Sequence, residues 1–324
     1  MNMSHLVTVI GTVFVDCKGF PFQTYHATTR NLGSIQFVHG GVGRNIAENM
    51  ARLSISTSFV SSVDATGMGT EVIDRLNDLN IHTGFMQAAP ARGMGMWMAI
   101  LDERGELAGS ISQMPELDVF EQIVAQHGEA IVAQSSHIAL ELDLNETIAK
   151  RILTLAHAAG KPVYGIPGNL DTIMQHPELL QGLSCFICNN YEADMLMQQP
   201  FSEQAPEEQK RLLADYVKRA GLRSMIVTLG EQGSVYYHAE TNETGHQHVF
   251  PVQVVDTSGA GDAFFSGAVA ALVRGADLKE ATICGTKVAG WTISQSDTTC
   301  PDLHHRMEAD EIVMSILSAS TAHN

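Results

Sequence analysis

Seven consecutive residues, Asp256-Thr257-Ser258-Gly259-Ala260-Gly261-Asp262, lead into Ala263-Phe264-Phe265-Ser266-Gly267 and place a carboxylate where a glycine-rich turn becomes an apolar helix. The first amides of a helix lack intrahelical acceptors and lie at the positive end of its dipole, so such a turn can hold a phosphate. A carboxylate beside that cradle is placed to take a proton from a hydroxyl attacking the phosphate. The implied chemistry is phosphoryl transfer. Asp262 is the general base, and the Gly259, Ala260 and Gly261 amides stabilise charge on the moving group. Taken alone, such a turn reads equally as a capped helix start with Asp262 favouring the dipole.

A second cluster, Gly40-Gly41-Val42-Gly43-Arg44-Asn45, opens a helical pattern with Ile46, Ala47, Met50, Ala51 and Leu53 on one face. Together the two clusters resemble the paired signatures of the PfkB (ribokinase-like) carbohydrate and nucleoside kinases, with a likeness running from about Val7 to about Leu303. The resemblance implies an ATP-dependent kinase with magnesium and a monovalent cation, usually potassium. Gly40, Gly41 and Asn45 would bind the acceptor, and Asp16, after the first strand, would accept hydrogen bonds from its hydroxyls. Asn189 and Glu192 match an N-x-x-E motif that acts through magnesium and its waters; a helix-capping Asn with a first-turn Glu is the competing reading. Thr228, Gly230 and Gly233 resemble a nucleotide-binding turn. Asp256 and Ser258 match cation-binding positions, with further ligands expected around 293–299. Arg44 is compatible with a solvent-facing helix position and receives no role.

The acceptor implied first is pseudouridine, because the stretch Gly40–Asn49 and the late Cys300-Pro301-Asp302-Leu303 look most like the pseudouridine kinase branch. Two positions depart from that branch: Ser112-Gln113-Met114 stands where an Asn-Asp pair is usual, and Ile166-Pro167 lacks the Asp before Pro. A free ribose- or fructose-like sugar is the alternative acceptor. A sugar- or nucleoside-binding protein without catalysis is the alternative class, disfavoured by the presence of both Asp262 and the complete glycine turn. The glycine-rich segments lack the G-x-G-x-x-G of dinucleotide binding.

These residues need a scaffold. Strand-like runs at Leu6–Ile10, Ser58–Val63, His137–Leu142, Pro162–Ile166, Cys185–Cys188 and Met225–Leu229 alternate with amphipathic segments such as Glu71–Leu79, Val119–Gln134 and Glu146–Ala159. That alternation predicts a three-layer α/β/α fold with a mainly parallel central sheet and ligands at its carboxyl edge. Residues 12–38 and 94–111 break the pattern with extra strands and turn signals such as Asp102-Glu103-Arg104-Gly105. In the resembled family such insertions form a small β lid, often used for homodimerisation. Helices are expected at Ala260–Arg274, Leu278–Ser294 and Ala309–Ser318, all within one ribokinase-like α/β domain over residues 1–324.

Composition narrows the class. The 324 residues are 44% hydrophobic, and 19 basic against 36 acidic residues give a net charge of −17. Such a surface repels phosphate backbones, so nucleic acid is not an expected partner. The sequence contains no apolar run of membrane-spanning length and no signal-peptide pattern, so the expected compartment is the cytoplasm. Cys185 and Cys188 read as buried strand residues rather than half of a zinc site. Met94, Met96 and Met98 alternate as a strand would and read as lid packing. His304-His305 reads as a tail pair without partners.

Overall fold

The fold was analysed in a computed structural model that describes residues 6–104, 106–142 and 144–318. Gly105 of the expected turn lies outside them. Along the first half run β1 (Leu6–Ile10), β2 (Phe14–Pro21), β3 (Gly33–Gly40), α1 (Val42–Arg52), β4 (Ser56–Asp64), α2 (Gly67–Asp78), β5 (His82–Ala89), β6 (Gly95–Leu101), β7 (Leu107–Gln113), α3 (Asp118–Gln134) and β8 (His137–Glu141). There follow α4 (Glu146–Ala158), β9 (Val163–Ile166), α5 (Asp171–Gln175), β10 (Cys185–Asn189), α6 (Asn190–Met197), α7 (Pro206–Ala220), β11 (Ser224–Thr228), β12 (Ser234–His238) and β13 (Thr244–Gln247). The last helices are α8 (Ala260–Val273), α9 (Leu278–Ile293), α10 (Leu303–Ala309) and α11 (Glu311–Ser318).

Nine strands form one sheet in the order β13-β12-β11-β10-β9-β8-β1-β4-β5, parallel except for the β11–β12–β13 hairpins at one edge. Each expected strand and helix is present to within a few residues at its ends, the expected last helix as α11; the short α10 before it was not expected. The edge strands β5, β12 and β13 and the helix α7 went unread. Alternation along each central strand sends side chains to two separate cores. Val7, Val9 and Ile187 join α1, α2, α8 and α9 on one face; Ile10, Ile138, Phe186 and Met225 join α3, α4 and α7 on the other. The result is helix, sheet, helix. Cys185 and Cys188 belong to opposite cores and cannot share a metal.

The insertions form a second sheet in the order β3-β2-β6-β7. Its register pairs Asp16 with Val38 and Trp97 on one face, and Cys17 with Phe37 and Met98 on the other. Met94 is buried, whereas Met98 is 41% exposed on that second face. The histidine pair of α10 has partners: His304 lies 3.4 Å and His305 3.8 Å from Glu308. Among the described residues, no helix is long and apolar enough to cross a membrane.

Candidate active site

From β1 the chain builds the sheet toward β5, and from β8 it builds toward β13, so strand order reverses between two adjacent strands. Ligands of open α/β sheets bind at the carboxyl ends beside such a reversal. Glu141, the last residue of β8, is buried there. Its carboxylate accepts from the Thr12 amide at 2.7 Å, from the Thr12 hydroxyl at 3.0 Å and from the Gly43 amide. Burial pushes its pKa up despite those donors.

The two glycine clusters meet at this point. Gly41 holds φ at +97°, and a Cβ on it would lie 2.6 Å from the Thr12 carbonyl, so only glycine lets α1 start against the link between β1 and β2. Gly259 is the N-cap of α8 with φ +76°, and a Cβ there would lie 2.0 Å from the Thr298 carbonyl. With both turns in place, Asn45 Nδ2 donates to Asp262 Oδ2 at 2.7 Å across 217 residues of chain. Asp262 is half-buried, and its pKa is raised to about 7. Burial is the main cause, opposed by the Asn45 bond and by Arg44, and reinforced by the charges of Glu141 and Glu192. Near-neutral titration suits a general base.

Asp262 lies in a cavity of about 140 Å³ whose wall includes Ile166, Pro167, Asn189, Glu192, Thr228 and Gly261. Thr228 and Gly261 also line a larger cavity of about 560 Å³, with Gly230, Gly233, Thr257 and Ala260 along it. Apolar side chains, among them Val252, Phe264 and Ile293, complete the larger cavity. All three residues of the expected nucleotide turn therefore line one cavity. The Ala260 amide donates to Thr257 O at 3.2 Å, while the Gly261 amide has no acceptor among the described residues.

Asp16 is half-buried on β2 beside Gly40, where an added Cβ would lie 3.6 Å from its carboxylate oxygens. Burial raises its pKa against the pull of Lys18 and Arg44. No donor among the described residues occupies that carboxylate. Asn189 and Glu192 form a reciprocal capping box at the start of α6: Asn189 Oδ1 accepts from the Glu192 amide at 2.9 Å, and Glu192 Oε2 accepts from the Asn189 amide at 2.7 Å. The capping arrangement is thus present, and it faces the cavity of Asp262. Asp256 Oδ1 accepts from the Ser258 amide at 2.8 Å. Burial alone would raise the Asp256 pKa, but the Ser258 hydrogen bonds and Lys18 outweigh it.

Arg44 is not solvent-facing. It is fully buried and donates to Glu48 Oε1 at 2.6 Å, to Asn45 Oδ1 at 2.5 Å and to Thr298 Oγ1 at 3.0 Å. Glu48 also meets Arg75 at 2.8 Å and Arg52 at 3.4 Å. Burial would raise the Glu48 pKa, but Arg44 and Arg75 overcome it and hold it at about 2. Sequence reading missed Glu141 and Arg44. An acidic residue inside the apolar run His137–Leu142 was the available signal for Glu141. Arg44 gave none, because its cover includes Thr298, 254 positions away.

Residues 4–305 match the pfkB family of carbohydrate kinases. The chain is 34% identical to guanosine-inosine kinase of Exiguobacterium acetylicum, covering 90% of this chain and 95% of that one. It is 26% identical to pseudouridine kinase of Escherichia coli K12, covering 94% and 95%. Ribokinase of Arabidopsis thaliana, solved in complex with ribose and ATP, aligns with a TM-score of 0.80 at 22% identity over 97% of this chain and 98% of that one, so the fold is ribokinase-like. The site and its relatives agree on a phosphotransferase with a hydroxyl acceptor: the chain belongs to the pfkB family of carbohydrate kinases.

Proposed function

We propose that the protein transfers the γ-phosphoryl group of ATP to a primary hydroxyl of a nucleoside. The observation that carries this reading is the 2.7 Å bond from Asn45 to Asp262, which brings acceptor-binding and phosphate-binding clusters around one carboxylate. ATP would occupy the larger cavity with its phosphates toward Gly261, which with Thr228 lines both cavities. The acceptor hydroxyls would face the open Asp16 carboxylate and Asn45. Asp262 Oδ1, the oxygen left free by Asn45, takes the proton of the attacking hydroxyl, while the Gly259, Ala260 and Gly261 turn stabilises charge on the transferring group.

Magnesium fits the oxygen donors of Asn189 and Glu192, which border a cavity roomy enough for coordinated waters. When bound it would neutralise charge on the phosphates. Asp256 and Ser258 are the residues we assign to a potassium site beside the turn; the Thr298 carbonyl, close to Gly259, comes from the expected 293–299 segment. Replacing potassium with a large organic cation should then lower turnover.

For the acceptor, a nucleoside is favoured over a free sugar by Trp97, which pairs with Asp16 across the small sheet, on the same face, and would offer an aromatic ring to a base. Guanosine or inosine comes before pseudouridine, because Ile166-Pro167, where the pseudouridine kinase branch carries an Asp, lines the Asp262 cavity. The test is ADP release with ATP, magnesium and potassium against guanosine, inosine, pseudouridine, ribose and fructose. Strong turnover with a nucleoside supports the reading, and turnover with ribose alone would replace it with a sugar kinase. Trp97→Ala should raise KM for the nucleoside about tenfold or more and leave any ribose activity unchanged; an equal effect on both would remove the stacking argument.

A further inference from the structure

The Asn45 amide can face Asp262 in either of two ways, with its N–H donating or with its oxygen opposed to the carboxylate. Arg44 decides between them. Its guanidinium has donors and no acceptor, and Nη2 lies 2.5 Å from Asn45 Oδ1. The same nitrogen is within reach of Thr298 Oγ1 at 3.0 Å and of the His39 carbonyl, while Nε reaches the Gly40 carbonyl at 3.3 Å. Two N–H groups on Nη2 cannot serve three acceptors fully. The Thr298 hydroxyl, 3.2 Å from Asn45 Oδ1 and 3.1 Å from His39 O, completes the set. Nη1 is anchored on Glu48, and Glu48 retains Arg75 and Arg52 if Arg44 is removed.

We infer that Arg44 is a positioning residue for phosphoryl transfer, which fixes the Asn45 amide so that its N–H holds Asp262 Oδ2 and leaves Oδ1 for the acceptor hydroxyl. Its other bonds tie the end of β3, at His39 and Gly40, to the Thr298 segment that abuts Gly259. The lid root, the acceptor amide and the phosphate turn thus share one buried cation. The inference rests on Asp262 as the base. Arg44 also draws the Asp262 pKa down, as does the Asn45 bond, so losing the guanidinium should move the base toward higher pH.

The experiment is a double-mutant cycle of Arg44→Met and Asn45→Ala, with kcat, KM and the pH profile of kcat/KM read from ADP release. Asp262→Asn is measured beside it. Arg44→Met alone should lower kcat about ten- to a hundredfold with little change in KM for ATP, and should shift the acid limb upward. In the Asn45→Ala background the same substitution should cost almost nothing. Should Arg44→Met fail to fold, Arg44→Lys keeps the charge beside Glu48 but lacks the fork, and the cycle is read with it. An equal fold-loss in both backgrounds, or an unmoved acid limb, overturns the positioning role while leaving the base intact. Near-wild-type kcat in Asp262→Asn overturns the base and this inference with it.

Discussion

At the scale of single residues, Asp262 is held by an Asn45 hydrogen bond at the meeting of the two glycine clusters. It is half-buried beside two further carboxylates, Glu141 and Glu192, and titrates near 7 rather than near 4. The base must be ionised to act, so kcat/KM should fall about tenfold per pH unit below about 7. Asp262→Asn should cost about two to four powers of ten in kcat. Its effect on stability has the opposite sign. A carboxyl whose folded pKa is raised is most favourable while protonated, below its unfolded value, and that contribution is lost as pH rises through about 7. The amide introduced by Asp262→Asn keeps the shape without the charge, so the variant should melt at or above the wild-type temperature at pH 8, with a smaller gain at pH 5 that vanishes below about pH 4. Thermal melts at the two pH values check this, and a loss at both would mean that the carboxylate stabilises the fold. Asp262 itself was legible, because turn and carboxylate lie together in sequence. Glu141 was not, since its meaning depends on Gly43 and on Thr12, the latter 129 residues away.

At the scale of elements, α1 shows why legibility has a limit. Its apolar face, Ile46, Ala47 and Met50, is evident from the helical period, and it packs as expected. The same period implies that Arg44, Glu48 and Asn49 face water, yet all three are buried. The cover comes from α8 and from the Thr298–Cys300 segment, a long-range contact that no local pattern encodes. Sequence likewise places N-x-x-E on a helix start; only the folded chain turns that capping box toward Asp262. The polar side of α1 has an energetic consequence. Glu48 is fully buried, with Arg44, Arg52 and Arg75 around it, and breaking a buried pair by removing one charge costs about 3–5 kcal/mol. Glu48→Gln should lower stability by that order in urea denaturation at pH 7. Because the folded pKa is depressed to about 2, the Glu48 contribution is present above its unfolded pKa and fades as pH falls from about 4.5 toward 2. Wild type and variant should therefore converge on acidification. A constant gap down to pH 3 would show that the packing of the side chain, not its charge, carries the effect.

At the scale of the whole molecule, the small sheet is amphipathic in an unusual direction. One face carries Asp16 and Trp97 toward the site, as the period of two dictates once Asp16 is assigned there. The other face carries Ile35, Phe37, Met98 and Ile111, exposed by 69, 60, 41 and 65%. Ladder register aligns Phe37, Cys17, Met98 and Ile111 in a row across all four strands, so these side chains form a continuous apolar strip. Contiguous apolar surface on a chain of net charge −17 needs a cover that does not depend on opposite charge. We propose that a second copy of the chain supplies it, sheet against sheet, in a two-fold arrangement where the same patch serves both partners. Phe37→Asp should then shift the mass in solution from that of a dimer to the 35.0 kDa of the single chain. Gln36, which neighbours Phe37 in β3 but points to the opposite face, provides the matched control: Gln36→Asp should leave the mass unchanged. The measurement is light scattering after gel filtration. A wild-type protein already at 35.0 kDa would reject the dimer directly. If Phe37→Asp instead stayed dimeric, contact would lie elsewhere on the surface. Since β2 carries both Asp16 and the strip residue Cys17, separation of the two copies should also raise KM for the acceptor while leaving KM for ATP unchanged.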